Sequence, residues 1–224
     1  MVKLLKILGI VSISAIVWGS YIRIDKDYGL RVHISLGGLC EQSVAIVVGE
    51  VISMEEKITG YMEFDTTSYW IETDIRIRVW EDLKEKITDS LVTIRICPYI
   101  SEAPKFSLNE TVLVFLEDTH RVWDDIVLFD IPDPSILFVV GKELGKFKVV
   151  NNSVRADRYT RNAGIEVGLV KDLVRSAIKY PVTVDAKLDT LYEEGMRMYR
   201  EKVGYDEIIE FVYNKLGEII ELGK

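Results

Sequence analysis

Residues 72–80 read ETDIRIRVW, and this alternation constrains the fold more than any other feature of the chain. Successive side chains on a strand point to opposite faces, so Ile75, Ile77 and Val79 share one face and Asp74, Arg76 and Arg78 the other. Further runs supply neighbours. Residues 43–52 (SVAIVVGEVI) are almost wholly apolar and rich in β-branched side chains, as in a buried strand, and Gly49 marks a bulge or a sharp coil within it. Residues 91–97 alternate with Val92, Ile94 and Ile96 inward, and 111–116 (TVLVFL) are apolar on both faces. Residues 136–140 and 146–150 are two more short runs, separated by Gly141 and Gly145, and 31–36 read as an additional strand. Several short strands divided by turn residues predict a barrel or sandwich.

The period changes in the tail. Val167, Val170, Val174 and Ile178 recur at helical spacing over 167–179, and Pro181 is expected to end that helix. Asp189 is the expected cap of a helix over 191–203, with Gly204 as its stop. Asp206 is the expected cap of a last helix striped by Ile208, Ile209, Phe211, Val212, Leu216, Ile219 and Ile220. That stripe either packs inward or mates with another copy or a partner. The fold class is therefore α+β, mainly β with a helical C-terminal segment.

At the other end, Lys3 and Lys6 precede an uncharged run over 7–22 that Arg23 closes. A positive start, an apolar centre and small residues near Gly19 suit a secretory signal; an uncleaved anchor and a buried core element are the alternatives. Sixteen residues in a helix span about 24 Å, short of a hydrocarbon core of about 30 Å. The expected organisation is 1–22 as signal peptide or hydrophobic anchor helix, 23–154 as the β domain and 155–224 as the helical extension.

Net charge decides what such a protein contacts. The chain of 224 residues carries 28 basic and 36 acidic side chains, and its formal net charge is −8. Phosphate backbones require a basic footprint, so nucleic acid is not an expected partner. Two histidines and two cysteines leave no Cys/His zinc cluster, and no cofactor or metal is expected.

The order of pieces carries a resemblance. A lead containing Cys40 precedes SVAIVVGEVISME, TDIRIRVWEDLK, VTIRI, KFSLNETVLVFLED and the glycine-spaced ILFVVGKELGKFKVV. Over residues 40–152 this resembles the OB-fold domains of the netrin-like and tissue-inhibitor-of-metalloproteinase-like group, and similar exported domains of prokaryotes. The resemblance implies a five-stranded Greek-key barrel outside the cell that binds another protein. The inhibitors' many disulfide cysteines are absent, so inhibition of a protease is not carried over.

Candidate sites follow. The connection over 117–135 holds six acidic residues together with Trp123, Ile126, Leu128 and Phe129. Apolar side chains on a long loop either pack down or form a contact surface, which makes Trp123, Asp124, Asp125 and Phe129 the candidate binding residues. The acidic groups lack EF-hand spacing. Cys40 and Cys97 are either a disulfide, as an even cysteine count outside the cell invites, or two buried thiols. Asn109 and Asn151 open N-x-[ST] triplets and are candidate glycosylation sites. Gly141-Lys142 and Gly145-Lys146 lack phosphate-loop spacing and read as a hairpin, and no nucleophile–base set can be assembled, so no enzyme is expected. The expected function is an exported or membrane-anchored extracytoplasmic protein-interaction module, which binds another protein or itself and meets the membrane through 1–22 if uncleaved. The alternatives are a structural subunit of a surface or membrane-associated assembly and, further off, a carboxylate-based hydrolase.

Overall fold

A computed structural model of the chain describes residues 35–63, 65–97, 103–118, 126–128, 133–140, 145–156 and 165–224. The fold is mixed: a mostly stranded sheet and, among the described residues, four helices. The chain divides into two compact units. Gln42–Lys148 form one; the described residues up to Glu41 join Val149–Lys224 in the other. The apolar run 7–22 lies outside the described residues.

The sheet unit contains β1 (Ala45–Met62), β2 (Asp65–Asp82), β3 (Leu91–Ile96), β4 (Thr111–Glu117), β5 (Ile126–Leu128), β6 (Ile136–Val139) and the start of β7 (Lys146–Val150). Their hydrogen-bonded order is β5-β1-β2-β3-β6-β4-β7, and β1 also pairs with β4. The β3–β6 pair is parallel; β1–β2, β2–β3, β1–β4 and β4–β6 are antiparallel. The alternating residues meet as expected: Ile75, Ile77, Val92 and Ile94 share one core with Val47, Val51, Val112, Val114, Leu116 and Val139, while Val79 and Ile96 pack at its margin. Full burial of each such side chain contributes about 1.5–3 kcal/mol. On the other face of β4, Phe115 is buried and stands edge-on to Phe147 with ring centroids 6.0 Å apart. That contact accounts for the apolar character of both faces of 111–116.

Gly49 sits where the β1–β2 register shifts, between Val48/Gly49. A Cβ there would lie 2.3 Å from the Arg78 carbonyl oxygen, so the close approach of backbones requires glycine. The turn after β2 is organised by Asp82. Its Oδ1 accepts the Ile46 and Lys84 N–H groups, and its Oδ2 accepts those of Lys86 and Ile87.

The other unit contains α1 (Leu36–Gln42), β8 (Ser153–Ala156), β9 (Ile165–Glu166), α2 (Val167–Lys179), α3 (Pro181–Arg200) and α4 (Tyr205–Glu221). Val170, Leu173, Val174 and Ala177 on α2, Val184, Leu188 and Leu191 on α3, and Ile208, Val212, Leu216 and Ile219 on α4 are buried. These are the three- and four-residue spacings of one apolar stripe per helix. The Gly37 N–H donates to Asp185 Oδ1 at 2.9 Å, which fastens α1 to α3. At the far end Ser176 Oγ donates to the Ile220 carbonyl at 3.2 Å, and Lys179 donates to the Gly223 carbonyl.

Several expectations change. Residue 36 of the expected strand 31–36 opens a helix instead, and 31–34 lie outside the described residues. The helix over 167–179 ends as expected, but Pro181 begins α3 rather than only stopping α2. Proline is well suited to a first helical position, because the N–H it lacks would have no partner there. Asp189 is therefore inside α3 and caps nothing, and Gly204, the expected stop, is the N-cap of α4, ahead of Asp206. Strands β1 and β2 each run 18 residues, well beyond 43–52 and 72–80. Cys40 and Cys97 are both buried and no disulfide joins them. Cys40 lies in the helical unit, with its Sγ 3.9 Å from the Val174 carbonyl oxygen, and Cys97 follows β3 in the sheet unit.

Candidate interaction surface on the long hairpin

The β1–β2 hairpin outreaches its neighbours. Strand β4 pairs with Ala45–Glu50 of β1, and β3 pairs with residues 73–78 of β2. The distal arm, residues 52–62 and 65–72, continues past both. It is a strand although residues 53–62 (SMEEKITGYM) lack an apolar alternation. Pairing makes it one: Ile58 faces Ile71, Gly60 faces Trp70 and Tyr61 faces Tyr69. Such cross-strand pairs each contribute about 0.2–1 kcal/mol. Near the tip, Asp65 accepts hydrogen bonds from the Ser68 hydroxyl and from the Thr67 hydroxyl and N–H, which hold its carboxyl below the usual range.

The arm exposes large apolar side chains. Met54 is 41% exposed, Ile58 53% and Tyr69 58%. Isolated apolar residues on a surface are ordinary; several on one hairpin make it a candidate contact region.

The base of the arm is held by ions. Arg95 on β3 reaches across to Asp74 on β2, with Nε donating to Oδ1 at 2.6 Å and Nη2 to Oδ2 at 3.1 Å. Lys57 on β1 is 2.8 Å from Asp74 Oδ2, and Arg95 Nη1 is 3.7 Å from Glu72 Oε2. Asp74 and Glu72 are 7% and 4% exposed at the side chain, so the polar face of 72–80 is covered here rather than solvated. Burial pushes the Asp74 carboxyl up, but the hydrogen bonds from Arg95 and Lys57 outweigh it and the net displacement is downward. The same pairing raises Arg95, whose charge is secured.

The candidate residues Trp123, Asp124, Asp125 and Phe129 lie outside the described residues. The strand they bracket is described: β5 pairs with the arm, Leu128 with Gly60, Val127 with Tyr61 and Ile126 with Met62. The 117–135 connection is thus tied to the arm at one described point. Asp133, in the same connection, is held below its usual range by hydrogen bonds from the Ser135 hydroxyl and N–H.

Asn109 and Asn151 are exposed and adopt left-handed backbone with φ of 62° and 49°. Asparagine tolerates that conformation in turns. Lys146, beside Gly145, is buried against Glu110 at 3.0 Å and over the Phe106 ring at 5.0 Å, in a structural role. Met54, Ile58, Tyr69 and the Lys57–Asp74–Arg95 set were not singled out from sequence. The available signal was opposite charge at alternating positions of 72–80 and 91–97, which marks a shared face but not its burial.

Among the described residues, no three His, Cys, Asp or Glu side chains gather as a metal site, and no helix is long and apolar enough to cross a membrane. No family model, no curated protein and no solved structure matches this chain.

Proposed function

We propose that this chain is an exported or membrane-anchored extracytoplasmic protein-interaction module, built on an OB-like Greek-key barrel, with the β1–β2 arm as its docking element. The exposed Met54, Ile58 and Tyr69 on a hairpin locked at its base are the observation that carries the reading.

The barrel assignment draws on strand order. Pairing runs β1–β2–β3–β6–β4 and returns to β1, parallel only at β3–β6. OB-folds place ligands on a strand face and on the loops after the first and fourth strands. Here those loops are the tip of the arm and the 117–135 connection. Residues 23–154 carry 14 basic against 23 acidic groups, which favours a protein over a nucleic acid as ligand. The export address draws on Lys3, Lys6 and the apolar run 7–22.

The test uses a photo-crosslinking residue at Tyr69 in cells that make the full chain, with protease added from outside. The reading expects a discrete protein adduct and cleavage of the chain in intact cells. A chain untouched by external protease, with no adduct, overturns it.

A further inference from the structure

Residues 151–153 read Asn-Asn-Ser, an N-x-[ST] triplet, and they close the hairpin between β7 and β8. Strand β7 ends at Val150 and β8 begins at Ser153, so two residues make the loop. Both are left-handed, Asn151 at φ 49° and Asn152 at φ 60°. Two left-handed residues form the tight turn whose twist matches the flanking strands. Asn151 and Asn152 are exposed, and Ser153 is half-buried. The turn accounts for the two asparagines. It makes no demand for the hydroxyl at 153.

The other triplet, Asn109-Glu110-Thr111, is built into the sheet unit. The Asn109 N–H donates to the Val51 carbonyl at 2.8 Å, and the Glu110 carbonyl accepts the Val51 N–H at 2.9 Å. Thr111 pairs with Glu50. The Glu110 carboxylate is 4% exposed, lies 3.0 Å from Lys146 Nζ and accepts the Ser107 N–H at 2.9 Å. This triplet cannot lift away without breaking a buried ion pair. The Asn151 triplet is tied more lightly. The Asn152 carbonyl accepts the Val167 N–H at 2.9 Å, and Ser153 pairs with Glu166 on the two-residue β9.

We propose that Asn151 is the acceptor of an N-linked glycan, and that Asn109 is closed to modification in the folded chain. The inference rests on the export half of the interaction-module reading, because the triplet is used in secreted proteins. The donor is a lipid-linked oligosaccharide. The Asn151 amide nitrogen bonds to the anomeric carbon of the first sugar, and the bond from that carbon to the phosphate oxygen breaks. The phosphorylated lipid leaves with the electron pair, and the amide gives up one proton. A transferase must surround the amide and reach the hydroxyl two residues on, so the whole triplet has to be accessible. A glycan is bulky and hydrated, and at the end of a hairpin it extends into solvent.

The test gives the folded full-length protein to a single-subunit oligosaccharyl transferase that modifies synthetic peptides of both triplets, with a lipid-linked oligosaccharide as donor. Peptide mapping by mass spectrometry locates the sugar. The expected result is a glycan on Asn151, with Asn109 at least about tenfold slower because it requires local opening. Ser153→Ala and Asn151→Asp should abolish the modification and Ser153→Thr should keep it, with circular dichroism showing each variant folded. An unmodified Asn151 in the folded chain overturns the proposal, as does Asn109 reacting equally fast or Ser153→Ala reacting normally. Intact mass of the chain from cells that glycosylate their surface proteins should show one glycan. A chain that external protease cleaves but that carries no sugar overturns the site and leaves the module reading standing. A chain that external protease never reaches, yet is modified at Asn151 by the purified enzyme, sinks the export reading and leaves the acceptor.

Discussion

Arg95 clasps the Asp74 carboxylate with two hydrogen bonds, 2.6 and 3.1 Å long, across directly opposed positions of β2 and β3. Lys57 closes on the same carboxylate from β1, so three strands meet at one ion. Arg95→Met withdraws the fork from a carboxylate that is 7% exposed. Breaking a buried pair by removing one partner costs about 3–5 kcal/mol, and because Lys57 remains we expect the lower end, about 3 kcal/mol. Arg95→Lys should fall between, since an ammonium cannot fork. Urea denaturation followed by tryptophan fluorescence gives both values.

The same carboxylate sets an acid limit. Asp74 is held below its ordinary value in the folded chain, so between the two values the unfolded state binds more protons. Its contribution is complete above the ordinary aspartate range near pH 3.9 and is lost as pH falls through the folded value. The urea midpoint should therefore drop steeply below about pH 4, and more gently in Asp74→Asn. Equal slopes in the two proteins would assign the acid limit to other groups.

Asp189 works in the opposite sense. Desolvation by its neighbours on α3, with Asp185 one turn before and Glu193 one turn after, pushes its carboxyl up. The folded state then holds the proton longer, and stability falls as pH rises from the ordinary value to the raised one. Asp189→Asn should raise the neutral-pH midpoint of the helical unit and flatten its pH dependence in that window. The gain is small, because Asp189 is exposed and solvent screens the repulsion. Circular dichroism at 222 nm between pH 4 and 7 reads it.

Two glycines on α4 and its terminus predict opposite outcomes. A Cβ at Gly223 would lie 2.3 Å from Ser176 Oγ and 2.9 Å from its Cα, where α4 closes on α2. Gly223→Ala should lower the melting temperature. At Gly217, inside α4, a Cβ meets nothing within 4 Å. Gly217→Ala should stabilise by about 0.5–1 kcal/mol, the entropic cost of glycine within a helix.

The cysteines give a chemical test. Both are buried thiols. Native protein exposed briefly to iodoacetamide should gain no adduct by intact mass. After unfolding in urea without reductant, it should gain two. No adduct under the second condition would mean a disulfide.

Period-2 and helical patterns carry much of the fold. Ile75, Ile77, Val92 and Ile94 sit in the core where their spacing puts them, and α2 spans the residues its stripe predicts. What spacing does not carry is coverage. Alternation assigns Asp74 to a face, but it does not tell that Arg95 and Lys57, from other strands, close on it there. The arm escapes pattern reading for a related reason: residues 53–62 take their strand form from partners on β2. Pro181 and Asp189 show the limit of single-residue signals, since proline opens a helix as readily as it ends one, and aspartate within a helix resembles a cap in sequence. The candidate binding residues fall in the 117–135 connection, and no pattern in the sequence announces that β5 within it pairs with the arm.

The bond between Gly37 and Asp185 spans 148 residues of chain. It also implies an order of assembly along the chain. Residues 42–148 form one unit whose core residues all come from within it, and domains generally fold as units. The helix over Leu36–Gln42 comes earlier in the chain, but its Gly37 amide gains the Asp185 carboxylate only once α3 is present. In chain order, one unit is an insert that interrupts the other.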